Sequence, residues 1–496
     1  VVNLLIATLL LPLLTAAAGV VDLPRKVKDA LMLGGLAATF ALCLAVARRF
    51  LSGAMPGALG EALRVDGLSA LVLVLSGFVG LLAATYGAGY LHRNEARGLV
   101  TPRMRREFYG LLPGYVFAML LVAMSNNLGV MWIAVELTTL VSVFFVTFHD
   151  RDTSLEAAWK FLVLGSLGLG FALLGTVLLF AAGQGHLGEG MPALNWTRFM
   201  QAAPALHPFT LRLGVVFALI GYGTKAGLAP MHTWKPDAYR EAPSPAVVLM
   251  AVGMLNGALY CILRIHLISR AALGPGFSSG LLLLLGLLSV LIAVPFIVIQ
   301  WNLKRLLAYS SIEHVGIMAV GVGLGAEAAV FGALLHMTYH SIAKPLGLLS
   351  AGTLAQLHSS SDFSRIGSGS FTRAPIASAL FVLAALMLTG CPPFGLFFSE
   401  MMILRAGLIG PHVTATAIFL AALVVLFCGF ALQVGRIVLG PPRDRAERRV
   451  PFPERLDLGT ATTIGAAVLA VVSGLYLPAP LLSLIRAATG VVWGAP

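Results

Sequence analysis

Apolar residues in this chain come in long blocks separated by short polar stretches. Examples are 67–91, 110–124, 127–148, 161–182, 245–263, 280–300, 374–391, 413–435 and 458–485. Each block can form about 20 residues of helix, enough to cross about 30 Å of hydrocarbon. A membrane β-barrel would show alternating segments of about ten residues, and the sequence has none. The pattern therefore predicts an all-α integral membrane protein with about 14 spans. They fall near 2–21, 30–52, 67–91, 110–124, 127–148, 156–183, 210–242, 245–265, 280–300, 304–323, 328–357, 374–409, 413–440 and 457–485. The segments starting at 210, 328 and 374 exceed the length of one span, which predicts broken helices there. No basic residue precedes the first apolar run, whereas Arg25, Lys26 and Lys28 follow it. The first span is therefore expected to be retained and not cleaved as a signal. The initial Val, where Met is expected, points to a non-ATG start or trimming.

Composition narrows the function classes. Only 11% of the 496 residues are charged and 58% are apolar, against roughly 25% charged in soluble domains. The net charge of +12 is not spread evenly. Loop 92–109 holds Arg93, Arg97, Arg103, Arg105 and Arg106, and loop 436–455 holds Arg436, Arg443, Arg445, Arg448, Arg449 and Arg455. The connection 184–209 holds only Arg198. By the positive-inside rule the odd-numbered loops face the cytoplasm and both termini face outward. Positive charge thus reports topology, and no nucleic-acid partner is expected. Cys43, Cys261, Cys391 and Cys428 stand singly in apolar spans, so no iron–sulfur or zinc framework is expected. The stretch GVGLGA at 321–326 ends a span and follows no strand, so it is no dinucleotide loop.

Two spans carry matching interruptions. In FALIGYGTKAGLAPMHTWKPDAYREAPSP (217–245), Gly227 and Pro230 break the helix just after Lys225. In LMLTGCPPFGLFFSEMMIL (386–404), Gly390, Pro392, Pro393 and Gly395 do the same just before Glu400. A broken helix in lipid leaves backbone groups unpaired, and is tolerated only inside protein or beside water. Counted along the chain these are the seventh and twelfth spans. An odd offset makes them cross in opposite directions, as in inverted five-helix repeats with a functional site near the breaks. The competing reading is that Gly and Pro are simply commoner in membrane helices. The expected divisions are an N-terminal part at 1–109, five-helix repeats at 110–270 and 275–440, and a loop with the last helix at 441–496.

Ionisable residues inside spans are read by default as ion pathways or paired structure. Here they form a series: Glu136, Lys225, His314, His336, His340, Lys344 and Glu400. His336, His340 and Lys344 are spaced i, i+4, i+8, on one face of one helix. Histidine titrates near neutrality, and burial moves glutamate and lysine towards it. Glu136 and Lys225 are expected to form a switchable pair, whose lysine releases its proton when it swings away. A static ion pair is the competing reading. His336 and His340 could hold a metal, but no acidic third ligand follows the HExxH arrangement, so none is expected. His314 could be a hydrogen-bonded core histidine. Glu156 and Lys160 have the order of a surface i, i+4 pair, and Lys160 is kept as a secondary candidate. His232, Lys235, Asp237, Arg240 and Glu241 could form a proton inlet or a solvated helix end.

At these residues the sequence resembles the antiporter-like subunits of respiratory complex I and of membrane-bound group 4 nickel–iron hydrogenases. The tracts are KAGLAPMHTWKPDAYREAPSP, VELTTLVSVFF, LLAYSSIEHVGIM, HMTYHSIAKPLGLL and CPPFGLFFSEMMIL, together covering about residues 110–410 in order. The glutamate–threonine pattern and the YHSIAKP tract look most like the component F type of hydrogenase-4 and formate hydrogenlyase-like complexes. The resemblance implies a 14-helix fold with two inverted five-helix units. It gives Glu136 and Lys225 the input role, His336, His340 and Lys344 the central relay, and Glu400 the output. It also implies no quinone, flavin or metal in this chain. Iron–sulfur, nickel–iron or flavin centres would lie in partner subunits of a complex I-like or hydrogenase-like assembly, in a bacterial or archaeal cell membrane. The sequence departs from the family at Asn256, where a lysine is often found, and Asn cannot carry a proton. No long lateral helix is expected after the last span, which points to an M-, N- or F-type member. The rival reading is a Mrp-type Na⁺/H⁺ antiporter subunit or the membrane partner of an inorganic-carbon uptake system. An enzyme acting on a lipid or quinone is disfavoured, because no nucleophile–base cluster stands out.

Overall fold

The computed structural model describes residues 2–366, 370–438 and 454–494, nearly all of them helical. The chain opens with α1 (Val2–Val20) and α2 (Arg25–Leu51), then a two-stranded hairpin of β1 (Gly57–Ala58) and β2 (Leu63–Arg64) that the apolar pattern did not announce. Long helices follow: α3 (Gly67–Glu95), α4 (Pro102–Met124), α5 (Leu128–Val146) and α6 (Asp152–Ala182). After a lateral segment with α7 (Trp196–Gln201) come α8 (Pro208–Ala226) and α9 (Trp234–Glu241), the two halves of the first broken helix. Then α10 (Ser244–Val248) runs through a π-helical turn at Leu249–Met254 into α11 (Leu255–Leu273). The second half holds α12 (Gly276–Val298), α13 (Leu303–Gly323), α14 (Glu327–His358), and the short α15 (Phe363–Ile366) and α16 (Ser370–Arg373). The second broken helix is α17 (Pro375–Leu388) with α18 (Gly395–Ile409), and the chain closes with α19 (Val413–Val438), α20 (Leu458–Leu475) and α21 (Ala479–Trp493). Among the described residues ten helices are long and apolar enough to cross a membrane, by length and composition.

Polar contacts sort the helix ends onto two faces. On one face Arg25 and Arg105 pair with Glu95, at 3.4 and 2.7 Å, and Arg93 pairs with Asp457 at 2.8 Å. Lys160 and Arg305 meet Asp237, and Arg240 meets Asp362, on that same face. On the other face Asn126 donates to Glu61 O and Thr197 Oγ1, and Arg270 donates to Trp493 O. The first set of these contacts gathers the ends of several helices on one side of the bundle. The basic residues 443–449 lie outside the described residues.

Two expectations are corrected. The segment starting at 328 is not broken: α14 is one continuous helix of 32 residues, with Pro345 inside it. A single Pro costs one backbone hydrogen bond, here the acceptor role of the Ser341 carbonyl, and the flanking turns hold. The last span is interrupted instead, at Tyr476–Pro478, and runs on to Trp493. Pro478 before α21 lacks an N–H and cannot continue the helix. Several helices also begin earlier than their apolar blocks. The α4 helix starts at Pro102, with Met104 N bonded to Thr101 Oγ1, because helices continue beyond the apolar stretch.

The centre of the bundle is Ser244–Leu273, Leu303–Gly323 and α14. The most apolar stretches of the first two are wholly enclosed, against 33% of the corresponding stretch in α19. Around this centre, α6 is drawn tightly onto α8 by glycines. A Cβ on Gly175 would lie 2.5 Å from Ala218 N, one on Gly168 would lie 2.6 Å from Thr224 Cβ, and one on Gly221 would collide with Ala172 N. Small residues let helix backbones approach in lipid. The approach carries α6 to Lys225, whose Nζ lies 3.0 Å from where a Gly165 Cβ would be. Gly221→Leu should therefore destabilise the protein by about 1–3 kcal/mol or more through overpacking. Gly170→Ala, whose Cβ would meet nothing within 4 Å, should change nothing; thermal unfolding in detergent reads both.

Candidate proton-conducting site

Each break is closed the same way. Gly227 has φ +84° and Gly390 has φ +65°, a region that favours glycine. Each sits at the end of its helix, and the next N–H reaches back five residues: Leu228 N to Gly223 O at 2.8 Å, and Cys391 N to Leu386 O at 3.0 Å. This Schellman-type closure satisfies backbone carbonyls at a helix end. The first break is further sealed by side chains. Trp234 Nε1 donates to Thr224 O at 2.9 Å, Lys235 Nζ to Ala226 O at 2.6 Å, and Ala229 N to Ser289 Oγ at 2.9 Å.

Lys225, in the last turn of α8, is fully buried, with its Nζ 4.7 Å from the Phe161 ring centroid and no hydrogen-bond partner among the described residues. Glu136 on α5 is half-buried and accepts a 3.4 Å hydrogen bond from Thr139. The direct Glu136–Lys225 ion pair expected from sequence is thus not formed in this structure, although the Glu136 charge acts on Lys225 through space. Lys225 instead lies with its ammonium near an aromatic face.

The centre of the bundle assembles what the sequence could only list. His314 on α13 and His336 on α14 are joined at 2.9 Å, Nδ1 to Nε2, and His336 Nδ1 meets Ser399 Oγ on α18 at 2.9 Å. The protons can be placed from the hydrogen bonds. With the Ser399 hydroxyl directed to Leu396 O at 2.7 Å, its oxygen accepts from His336 Nδ1–H. A neutral imidazole has one N–H, so His336 Nε2 accepts and His314 Nδ1–H donates. In that tautomer His314 Nε2 is a buried acceptor with no partner among the described residues. The His340 ring lies beside it, with centroids 4.8 Å apart. His314 is thus a hydrogen-bonded, buried histidine that also belongs to this cluster.

His340 and Lys344 are fully buried, and among the described residues neither ring nitrogen nor Nζ has a hydrogen-bond partner. Glu400 lies against Gly390, where any Cβ would collide with its carboxylate. Ligand atoms of His314, His336 and Glu400 lie within 4.8 Å of one another. Both nitrogens of His336 serve the hydrogen-bonded chain. Asn256, at the place of the expected lysine, donates to Ser341 Oγ at 2.8 Å.

Sequence reasoning passed over Glu313. It is only 5% exposed, its charge and that of Lys344 act on each other, and Glu400 feels it too. Its place beside His314 in an enclosed span was the available signal. Ser399 was missed as well, because a serine next to Glu400 carries no sequence cue. Of the secondary candidates, Lys160 is a surface group: it pairs with Glu156 at 2.6 Å and Asp237 at 3.4 Å, with its side chain 47% exposed. Asp237 bridges it to Arg305 at the rim. His232 is buried in the break, with Nδ1 unpartnered.

Comparison with known proteins agrees with this architecture. The family model described as "NADH:quinone oxidoreductase/Mrp antiporter, TM" matches residues 125–428. A hydrogenase-4 component F homolog from Methylacidiphilum infernorum is 34% identical over 384 residues, 77% of this chain and 80% of that one. NADH-quinone oxidoreductase subunit N from Desulforudis audaxviator is 31% identical over 450 residues, 86% and 84%. In fold, a chain of the membrane-bound sulfane sulfur reductase, an archaeal respiratory membrane complex, superposes with a TM-score of 0.84 at 21% identity, covering 99% of this chain and 98% of that one. The chain belongs to the NADH:quinone oxidoreductase/Mrp antiporter transmembrane family, as an antiporter-like, multi-pass membrane subunit of the complex I-related kind.

Proposed function

We propose that this subunit conducts protons across the membrane through Glu136, Lys225, the His340–His314–His336 cluster with Lys344, and Glu400. It would do so as the energy-coupling module of a complex I-related or hydrogenase-type assembly. One observation carries this reading. The hydrogen-bonded sequence His314–His336–Ser399 is buried and continuous, and joins two imidazoles on neighbouring helices to a hydroxyl beside Glu400. A proton accepted at His314 Nε2 is matched by transfer of Nδ1–H to His336 and release from His336 Nδ1 toward Ser399 and Glu400. Only N–H and O–H bonds are exchanged.

The finer architecture belongs to the same proposal: 14 spans, inverted five-helix units at 110–270 and 275–440, and breaks in the seventh and twelfth spans. Two breaks closed in the same way, each beside a buried ionisable residue, support it. So does the gathering of several helix ends on one face, which the arginine distribution assigns to the cytoplasm, with both termini outward. The redox centres are assigned to partner subunits and none to this chain. Moving one proton against 100 mV requires about 2.3 kcal/mol, and electron transfer in the partners would supply it.

The parent assembly is tested by purification in mild detergent. Iron–sulfur or nickel–iron subunits should accompany the chain. Other antiporter subunits alone would favour the Mrp-type reading, and a soluble zinc protein the carbon-uptake one. Lys225→Ala and Glu136→Ala should each abolish proton transport, measured with a pH dye in proteoliposomes of the complex, and leave assembly intact. Normal transport in both variants would remove the input half of the pathway. His336→Leu should lower transport by roughly a hundredfold or more, the scale of a lost proton-transfer group. Ser399→Ala, which deletes only the terminal acceptor, should lower it less.

A further inference from the structure

Asn256 leaves an unexplained step: how a proton leaves Lys225 for α14 when the residue at the customary relay position cannot carry one. The tract His232–Glu241 reads in sequence as one charged cluster, either inlet or solvated helix end. The structure divides it. Asp237 and Arg240 reach the rim, with side chains 24% and 41% exposed, whereas Lys235 is completely enclosed.

The surroundings of Lys235 are unusual for a static cation. Its Nζ lies 5.9 Å from the Trp234 ring centroid and 6.0 Å from that of Tyr239. Its hydrogen-bond acceptor is the carbonyl of Ala226, the residue next to Lys225, at 2.6 Å. Gly227 permits that approach, since a Cβ there would lie 2.5 Å from Nζ. An ammonium has three donors, and buried charges are ordinarily paired with an opposite charge. Among the described residues no ion pair includes Lys235. In the other direction its charge acts on both His340 and Lys344. The groups around the step are thus Lys225 on α8, His232 and Asp237 near Lys235 itself, His340 and Lys344 on α14, and Glu313 facing Lys344 from α13.

We propose that Lys235 replaces the missing lysine of the central relay, carrying the proton from Lys225 to the His340–Lys344 face of α14 and bypassing Asn256. The Lys235 amine takes a proton from the Lys225 ammonium and gives it to the His340 imidazole, so that each step breaks one N–H bond and forms another. The step rests on the proton-conducting reading above. The competing role is purely structural, a cation capping the negative end of the α8 dipole.

Arginine separates the two roles. It keeps the charge and the donors but cannot give up its proton. The complex is reconstituted in proteoliposomes, a potassium diffusion potential is imposed, and an internal pH dye reads proton flux; thermal unfolding of the same preparations reads assembly. Lys235→Arg and Lys235→Met should assemble yet lose flux by roughly a hundredfold or more. Adding Asn256→Lys to Lys235→Met should restore flux by returning a lysine to the customary position. Wild-type flux in Lys235→Arg would overturn the proposal in favour of the cap. Should Lys235→Arg fail to assemble, the double variant decides: restored flux supports the relay, and a folded protein without flux overturns it. A wild-type complex that conducts no more than empty liposomes would overturn the proton-conducting reading itself.

Discussion

At the gap 227–233, inside an apolar bundle, side chains replace hydrogen bonds that the helix gives up. Backbone carbonyls at the end of α8 are satisfied by Trp234, Lys235 and the Gly227 closure. This replacement organises the surrounding structure. It holds Lys235 against the chain beside Lys225, fixes α9 under α8, and ties the loop to α12 through Ser289. The second break obeys the same rule with Gly390 and places Glu400 against it. Interruption and charge occur together because a broken helix offers the polar surroundings that a buried charge needs.

The bundle divides by what each helix touches. The stretches around Asn256 and His314, with α14, are enclosed by other helices and carry the titratable cluster. By contrast α6 turns Trp159, Leu167 and Val177 outward, and α19 turns out Val424 and Leu432. Such apolar outer faces suit lipid or a neighbouring subunit. One tie between the layers is the fully buried Arg264, which binds Asp66 through two hydrogen bonds of 2.7 and 2.6 Å while its guanidinium stacks 4.0 Å from the centre of the Trp196 ring. Asp66 also caps α3 through Ser69 N, so a single carboxylate fixes the start of one central helix to the side of another.

Much of this could be read from the sequence, for a simple reason. Apolar blocks are imposed by the solvent, so they located the helices to within several residues. Glycine and proline beside lone charges located both breaks. The misreadings come from properties that periodicity does not encode. Length alone suggested a break in α14, but its single Pro345 leaves the helix continuous. The final crossing looked uniform because Tyr476–Pro478 interrupts it without a charge to draw notice. Contacts between distant positions were the larger omission. Nothing in either tract shows that His314 bonds His336, or that Ser399 ends the chain. Lys235 looked like its exposed neighbours because linear proximity says nothing about which side chain turns inward.

On the proposed route, the order of hydrogen bonds from His314 to Ser399 would give the protein a short memory. Once a proton has passed along it, each imidazole holds its hydrogen on the opposite nitrogen, and the pair points the other way. It cannot pass a second proton in the same sense until both rings have turned over, and they must do so within close-packed helices. Throughput would then be limited by side-chain rotation as well as by proton affinity. A cycle that waits on ring reorientation is one that a slower event, such as a change of charge in a neighbouring subunit, can keep in step.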